Sequence, residues 1–228
     1  DSILYDPRGA NETDRLCASA ASVDLTAGKA GSMAFNLPPD HPYRDKLPYM
    51  RPGLELLQGQ YVVWRGRITS QVGDFRNNLN VTAEGVMAVL NDSTVPPFVY
   101  PDDFAEDADY RAAANNGNVV DYLFRWFLAQ HNARVSADQQ IKPGVCTVTD
   151  ANNYIARGST KYLTTMEAMT TRLTGSALGG YLLMRYEADG NYLDYYADLP
   201  LTNAQAVQFG QNLLDLERQL TGTGIYTS

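Results

Sequence analysis

Histidine and cysteine are scarce in this 228-residue chain, with two of each. His41 and His131 fall short of a zinc site of the usual kind, which needs more imidazoles or thiols at short spacing. Cys17 and Cys146 lie far apart and form neither a CxxC pair nor a disulfide framework. They are read as buried or half-buried free thiols, following the general burial preference of cysteine. Basic charge is short as well: 18 Lys and Arg face 26 Asp and Glu, a net charge of -8. That balance lacks the basic footprint of a nucleic-acid binder. No apolar run approaches the ~18–20 residues that span a bilayer, and no basic-then-apolar leader opens the sequence. Internal repeats and low-complexity tracts are also missing. A soluble globular protein is expected.

What is present suffices for a large core. Hydrophobic residues make up 44% and charged residues 19%, which excludes a disordered chain, a coiled coil and a collagen-like repeat. The length is about one and a half times the ~150-residue prior for one domain, so one large or two small domains are expected. A chain of this size buries roughly 70% of its unfolded surface and needs no metal or disulfide staple. It starts at Asp1 without Met and stops at Thr227-Ser228, straight after the strand-like Gly224-Ile225-Tyr226. A fragment of a longer polypeptide is therefore expected.

The first ninety residues read as β. Met33, Phe35 and Leu37 alternate with Ser32, Ala34 and Asn36, and Pro38-Pro39 then stops the ladder. Leu54 to Leu57 is a short apolar run followed by a turn at Gly59-Gln60. From Tyr61 to Ile68, Val62, Trp64 and Ile68 make an apolar face, and Arg65 and Arg67 a wet one. Leu79, Val81 and Ala83 repeat the alternation. Short alternating strands with turns between them point to a small antiparallel barrel or sandwich. Residues 96–117 hold Pro96-Pro97, Pro101, an acidic cluster and Asn115-Asn116-Gly117, and read as a long polar connection. A helix from Val119 to about Ala133 follows, with Asn118 as N-cap and Asp121 at the positive helix end. Its apolar residues cover more than one stripe, which predicts packing on two sides. Thr164-Thr165-Met166-Glu167 fits a capping box for a second helix with Met166, Met169, Thr170 and Leu173 on one face and Gly175 at its end. Two strands around residues 181–186 and 192–196 flank Asp189-Gly190, a hairpin. The last stretch stays open between helix and strand.

Enzyme signatures are tested next. Thr26-Ala27-Gly28-Lys29-Ala30-Gly31 lacks both the upstream Gly and the Ser or Thr after Lys29 of a phosphate loop, and reads as a turn between strands. G-x-S-x-G, S-x-x-K and H-E-x-x-H are all missing. A Cys–His pair would take Cys146 or Cys17 with His131 or His41. Cys146 sits in a strand-like context without the helix N-terminus that lowers a thiol pKa, and His131 ends a helix where a cation is favoured anyway. From Asp92 to Asp121 seven acids face only Arg111. Asp102, Asp103, Glu106, Asp107 and Asp109 are oxygen ligands of the type calcium takes, yet their spacing is not that of the twelve-residue loop and a solvated loop is the simpler reading. Tyrosine supplies 15 of the 24 aromatics, a sugar-binding platform or half-buried strand residues. No catalytic, cofactor-binding or metal-ligating residue is assigned.

Several segments resemble a known family. The run from Asp24 to Pro42 (Asp24-Leu25-Thr26-Ala27-Gly28-Lys29-Ala30-Gly31 through Pro38-Pro39-Asp40-His41-Pro42) is similar to the opening of bacteriophage tail-associated proteins, also called prophage endopeptidase tail proteins. Trp64-Arg65-Gly66-Arg67-Ile68, Leu90-Asn91-Asp92-Ser93, Gly179-Gly180-Tyr181-Leu182 with Tyr192-Leu193-Asp194-Tyr195, and Phe209 to Leu216 follow in the same order. The resemblance implies a baseplate or tail-tip hub, a homotrimer with tail-tube-like barrels joined by an α+β domain. It implies contacts with the tail tube or distal tail protein and the tape measure protein, and host-surface contact through parts outside this fragment. Cell-wall peptide cleavage in some members generally belongs to a C-terminal module, and no residue here matches one.

The resulting expectation is a mainly β, α+β chain: an antiparallel β-barrel-like hub domain over 1–91, an α+β domain with two helices and a hairpin over 92–200, and a truncated β segment over 201–228. The expected role is structural, in the virion tail, with no catalysis, no cofactor, no metal, no sequence-specific nucleic acid and no membrane span. A peptidoglycan hydrolase and a glycan-binding module using Tyr195 or Tyr196 remain the alternatives.

Overall fold

A computed structural model describes residues 2–5, 15–26, 28–41, 44–47, 49–58, 61–150, 158–159 and 161–199. Six strands come first: β1 (Ser2–Tyr5), β2 (Arg15–Asp24), β3 (Ser32–Leu37), β4 (Pro52–Gln58), β5 (Tyr61–Gly73) and β6 (Leu79–Gly85). They pair antiparallel in the order β1-β2-β3-β6-β5-β4. Among the described residues the two ends of that order meet at the pair Tyr5↔Glu55.

Alternation does the work predicted of it. Met33, Phe35 and Leu37 of β3 and Leu79, Val81 and Ala83 of β6 are buried, and with Leu54, Trp64 and Ile68 they form the first apolar cluster. β3 ends at Leu37, where Pro38 follows. The Trp64 indole lies over the facing pair Gly66↔Gly85, and a Cβ on Gly66 would run into its ring. Gly31, at φ 74°, brings its carbonyl to the Gly85 N–H at 3.0 Å. Only glycine allows strands and indole to approach this closely.

The second apolar cluster begins at once after β6, in the 3-10 turn Val86–Asn91, whose Val86, Met87, Val89 and Leu90 are buried in it. The short strands β7 (Thr94–Val95) and β8 (Phe98–Val99) follow. Then come helices α1 (Ala108–Asn115) and α2 (Val119–Asn132), β9 (Lys142–Cys146), β10 (Gly158–Ser159) and β11 (Leu163–Thr164). Helix α3 (Thr165–Met169) and the hairpin β12 (Tyr181–Glu187) and β13 (Gly190–Tyr196) complete the described chain. β7 pairs with β11, β8 with β10, and β13 lies between β12 and a parallel β9. The whole is mainly β with a few helices, an α+β protein.

Four readings change. Residues 96–117 are not a plain polar connection: 108–115 form α1, because Asp107 caps it, accepting from Asp109 N at 2.7 Å and Tyr110 N at 3.1 Å. The apolar face is aromatic, with Phe98, Tyr100, Phe104 and Tyr110 stacked edge-to-face or tilted against one another and Trp126 of α2. Asn118 stands at the N-cap of α2 but makes no side-chain cap bond. The second predicted helix is one turn of α-helix that widens into a π-turn over Thr170–Thr174, where Thr170 and Thr171 hydroxyls bond back to the carbonyls of Met166 and Glu167. The hairpin turn sits one residue early, at Ala188-Asp189, with Gly190 already paired to Glu187. The turn expected at Gly59-Gln60 and everything expected of 201–228 lie outside the described residues.

The Thr164 cap of α3 is formed, its Oγ1 accepting from Glu167 N at 3.1 Å. Thr164→Ala should lower the unfolding free energy by about 1 kcal/mol, measured by urea denaturation, while Thr164→Ser should lower it far less.

Candidate functional site

Strand β5 carries Trp64, Gly66 and Ile68 toward the first cluster, so Arg65 and Arg67 point the other way. That outer face is not wet. The second cluster packs over it, and Arg67 is only 4% exposed. A guanidinium keeps its charge, so burying it requires anionic partners. Arg67 Nε donates to Glu84 Oε1 at 2.8 Å, and Nη1 and Nη2 both donate to the Asp92 carboxylate, Nη2 at 3.0 Å. The Asp92 bond holds the Arg67 pKa above its ordinary value. Arg65 donates Nε to Glu55 at 2.6 Å and Nη1 to the carbonyls of Glu187 and Gly190 at 2.9 and 3.2 Å. The turn of the β12–β13 hairpin is thereby pinned to β5.

Leu90-Asn91-Asp92-Ser93 is the matching half of this seam. Asn91 Oδ1 accepts from Thr164 Oγ1 at 3.4 Å, and Asp92 also accepts from Gln139 Nε2 at 3.3 Å. Ser93 Oγ lies 2.7 Å from both His131 Nδ1 and Thr165 Oγ1, and its carbonyl accepts from Thr165 N at 2.9 Å. The Gln139 carbonyl, 3.1 Å from His131 Nε2, can only accept a hydrogen bond, so Nε2 carries the hydrogen and Nδ1 is left to accept from Ser93. His131 is thus no helix-end cation. It is fully buried, and burial pushes its pKa below the ordinary value. The arrangement pairs a hydroxyl with an imidazole, as a hydrolase does, but Ser93, His131 and Thr165 are all buried and the hydroxyls and both ring nitrogens of the trio are engaged within the protein. This trio went unforeseen in the sequence, because the serine and the histidine are 38 residues apart and no local motif joins them.

A second buried charge organises the hairpin. Asp194 accepts from Val145 N at 2.7 Å and from Arg185 Nε at 2.9 Å. A Cβ on Gly144 would collide with this carboxylate, so glycine is required beside it. Tyr195 is buried with its hydroxyl donating to the Gly179 carbonyl at 2.6 Å, so it offers no face to a sugar; Tyr196 is half-buried.

The other sequence candidates are dispersed. Cys146 is a half-buried free thiol, pushed by burial up to about 11, and its Sγ contacts the Val148 carbonyl rather than a histidine. The Cys17 side chain lies outside the described residues. Of the acidic cluster, Asp103 accepts from Val99 N at 2.7 Å and Asp107 caps α1. Among the described residues no group of three or more His, Cys, Asp or Glu is placed to hold a metal ion, and no helix is long and apolar enough to cross a membrane.

No family model matches the chain, and no curated protein does. Among solved structures, the crystal structure of prophage tail protein gp18 from Listeria monocytogenes EGD-e is similar to it, with 9% identity and a TM-score of 0.40 over 86% of this chain and 50% of that one. The chain therefore spans about half the length of that protein.

Arg67→Met should destabilise the protein by roughly 2 kcal/mol, the scale of hydrogen bonds to a charged group, with the loss read from the urea midpoint. His131 gives a pH dependence of known sign. Its lowered folded pKa means the unfolded chain takes the proton first, so its contribution is full above about pH 6.5 and declines as pH falls toward the folded value. The urea midpoint should drop more steeply below about pH 6.5 in the wild type than in His131→Gln.

Proposed function

We propose that this chain is a structural component of a bacteriophage or prophage tail, part of a trimeric baseplate or tail-tip hub between the tail tube and the host-contacting tip. One observation carries the reading. The segments whose sequence resembles tail-associated proteins converge on a single seam. Trp64 to Ile68 supplies Arg65 and Arg67, Leu90 to Ser93 supplies Asp92 as acceptor for Arg67 together with the Ser93 bonds, and Glu187 and Gly190, between the two matching runs of the hairpin, supply the carbonyls that Arg65 holds. The turn from Asp24 to Gly31 closes over Trp64, whose Nε1 donates to the Ala30 carbonyl at 3.4 Å. Motifs that share an order in sequence and one mechanical task in space describe a joint.

The fold is compatible with that task. The strand ring β1-β2-β3-β6-β5-β4 is the part read as tail-tube-like barrel, and burial passes from the first apolar cluster to the second just after it, from Val86 on. In this reading the protein acts in the virion tail through the tail tube or distal tail protein and the tape measure protein. It makes and breaks no bond itself.

Native mass spectrometry of the full-length protein should give a trimer, and antibody labelling of purified tails should mark one end of the tube. A monomer at all concentrations together with unlabelled tails would sink the proposal.

A further inference from the structure

At the far end of β5 the chain turns through Asp74-Phe75-Arg76-Asn77-Asn78 into β6. The Asp74 carboxylate accepts from the backbone N–H groups of Arg76 and Asn78, both at 2.8 Å, and from the Asn78 amide at 3.0 Å. Asn77 takes a left-handed φ of 61°, and Arg44 donates to its carbonyl and to its side-chain oxygen. The turn is therefore held both from within and from the neighbouring loop. On it stands Phe75, 92% exposed, with the Arg76 guanidinium 5.2 Å from the ring centroid. An aromatic on a rigid tip loses little freedom on docking, which is the property of a binding anchor.

At the other end of the same strand a cavity of about 180 Å³ opens to solvent, lined by Leu25, Val63, Trp64, Met87, Leu182 and Met184 among others. It is smaller than the ~300–1,000 Å³ of pockets for drug-sized ligands, and its volume suits one aromatic side chain. The charges match as well. Asp74 and Arg76 flank Phe75 on the tip; exposed Lys29 lines the cavity, and exposed Asp24 directly precedes its lining residue Leu25. A molecule cannot use its own tip, because Trp64 and Phe75 are separated by most of β5, on the order of 35 Å at ~3.3 Å per residue.

We infer that Phe75 of one copy seats in this cavity of a second copy, with Asp74 facing Lys29 and Arg76 facing Asp24. The contact is head-to-tail, so an open chain of copies keeps one free tip and one free cavity until a ring closes. It stands on this geometry and not on the tail role: a trimer joined through other surfaces would leave that role intact while failing the test below.

The test uses the whole chain in sedimentation velocity at rising concentration. Phe75→Ser removes the anchor at an exposed site, and Leu25→Trp fills the cavity mouth from another exposed site. The wild type should associate, each variant alone should need at least tenfold more protein to do so, and an equimolar mixture of the two should form a 1:1 dimer that grows no further. A wild type that stays monomeric to about 1 mM, or variants that associate as it does, overturns the inference. A photoreactive benzophenone side chain at position 75 reads the same contact without relying on Leu25→Trp. It should join copies through the turn 25–31 or β12, and cross-links confined to other peptides overturn the inference equally.

Discussion

Burial of one guanidinium organises the centre of this protein. Arg67 cannot shed its charge, and its side chain is covered by the second cluster, so two carboxylates must come to it. Glu84 arrives from the neighbouring strand and Asp92 from beyond the 3-10 turn. The second partner matters more for the architecture, because it ties the outer face of β5 to the segment from which the α+β part starts. Once Asp92 is placed, Asn91 and Ser93 have fixed positions on either side of it. Their bonds reach β11, α2 and α3 in turn.

The glycines around Trp64 follow the same logic in apolar form. Gly66 and Gly85 face each other across two strands, and Gly31 approaches from the turn above, so the indole fills space that side chains would otherwise claim. A large ring is thereby buried at the point where the first cluster ends. Met87, immediately after, belongs to the second cluster and also borders the cavity beside Trp64. The joint is thus apolar on one side of β5 and ionic on the other. An apolar contact resists separation without fixing direction, and a bidentate ion pair fixes direction, so the two together set how the layers sit.

The buried Ser93–His131–Thr165 trio shows how a reactive pair of residue types becomes a structural one. With Nε2 committed to a carbonyl and Nδ1 to a hydroxyl, the neutral imidazole is satisfied on both edges. Such a network rigidifies a core, since any rearrangement strands a polar group away from water. Its members come from three separate elements, so no spacing in the chain announces it. The misreading of His131 as a helix-end cation has the same origin: its position in α2 was evident, but what would cover it was not.

Strand periodicity was legible in the residues because it needs only the two faces of a pleat. Met33, Phe35 and Leu37 could turn inward only together, and Pro38 had no N–H with which to continue. The Thr164 cap and the hairpin near Gly190 were legible for the same local reason. What the chain could not disclose was the partner of each outward face. Arg67 reads as solvated on its own strand and becomes buried only when residues 86–93 fold across it. The acidic stretch reads as a loop until Phe98, Tyr100, Phe104 and Tyr110 are brought side by side. Sequence alone therefore determined the local elements and which side of each is apolar, since those depend on neighbours a few residues away. Tertiary structure alone decided which charges are buried and what joins the two clusters, because these depend on groups that meet only after the chain has closed on itself.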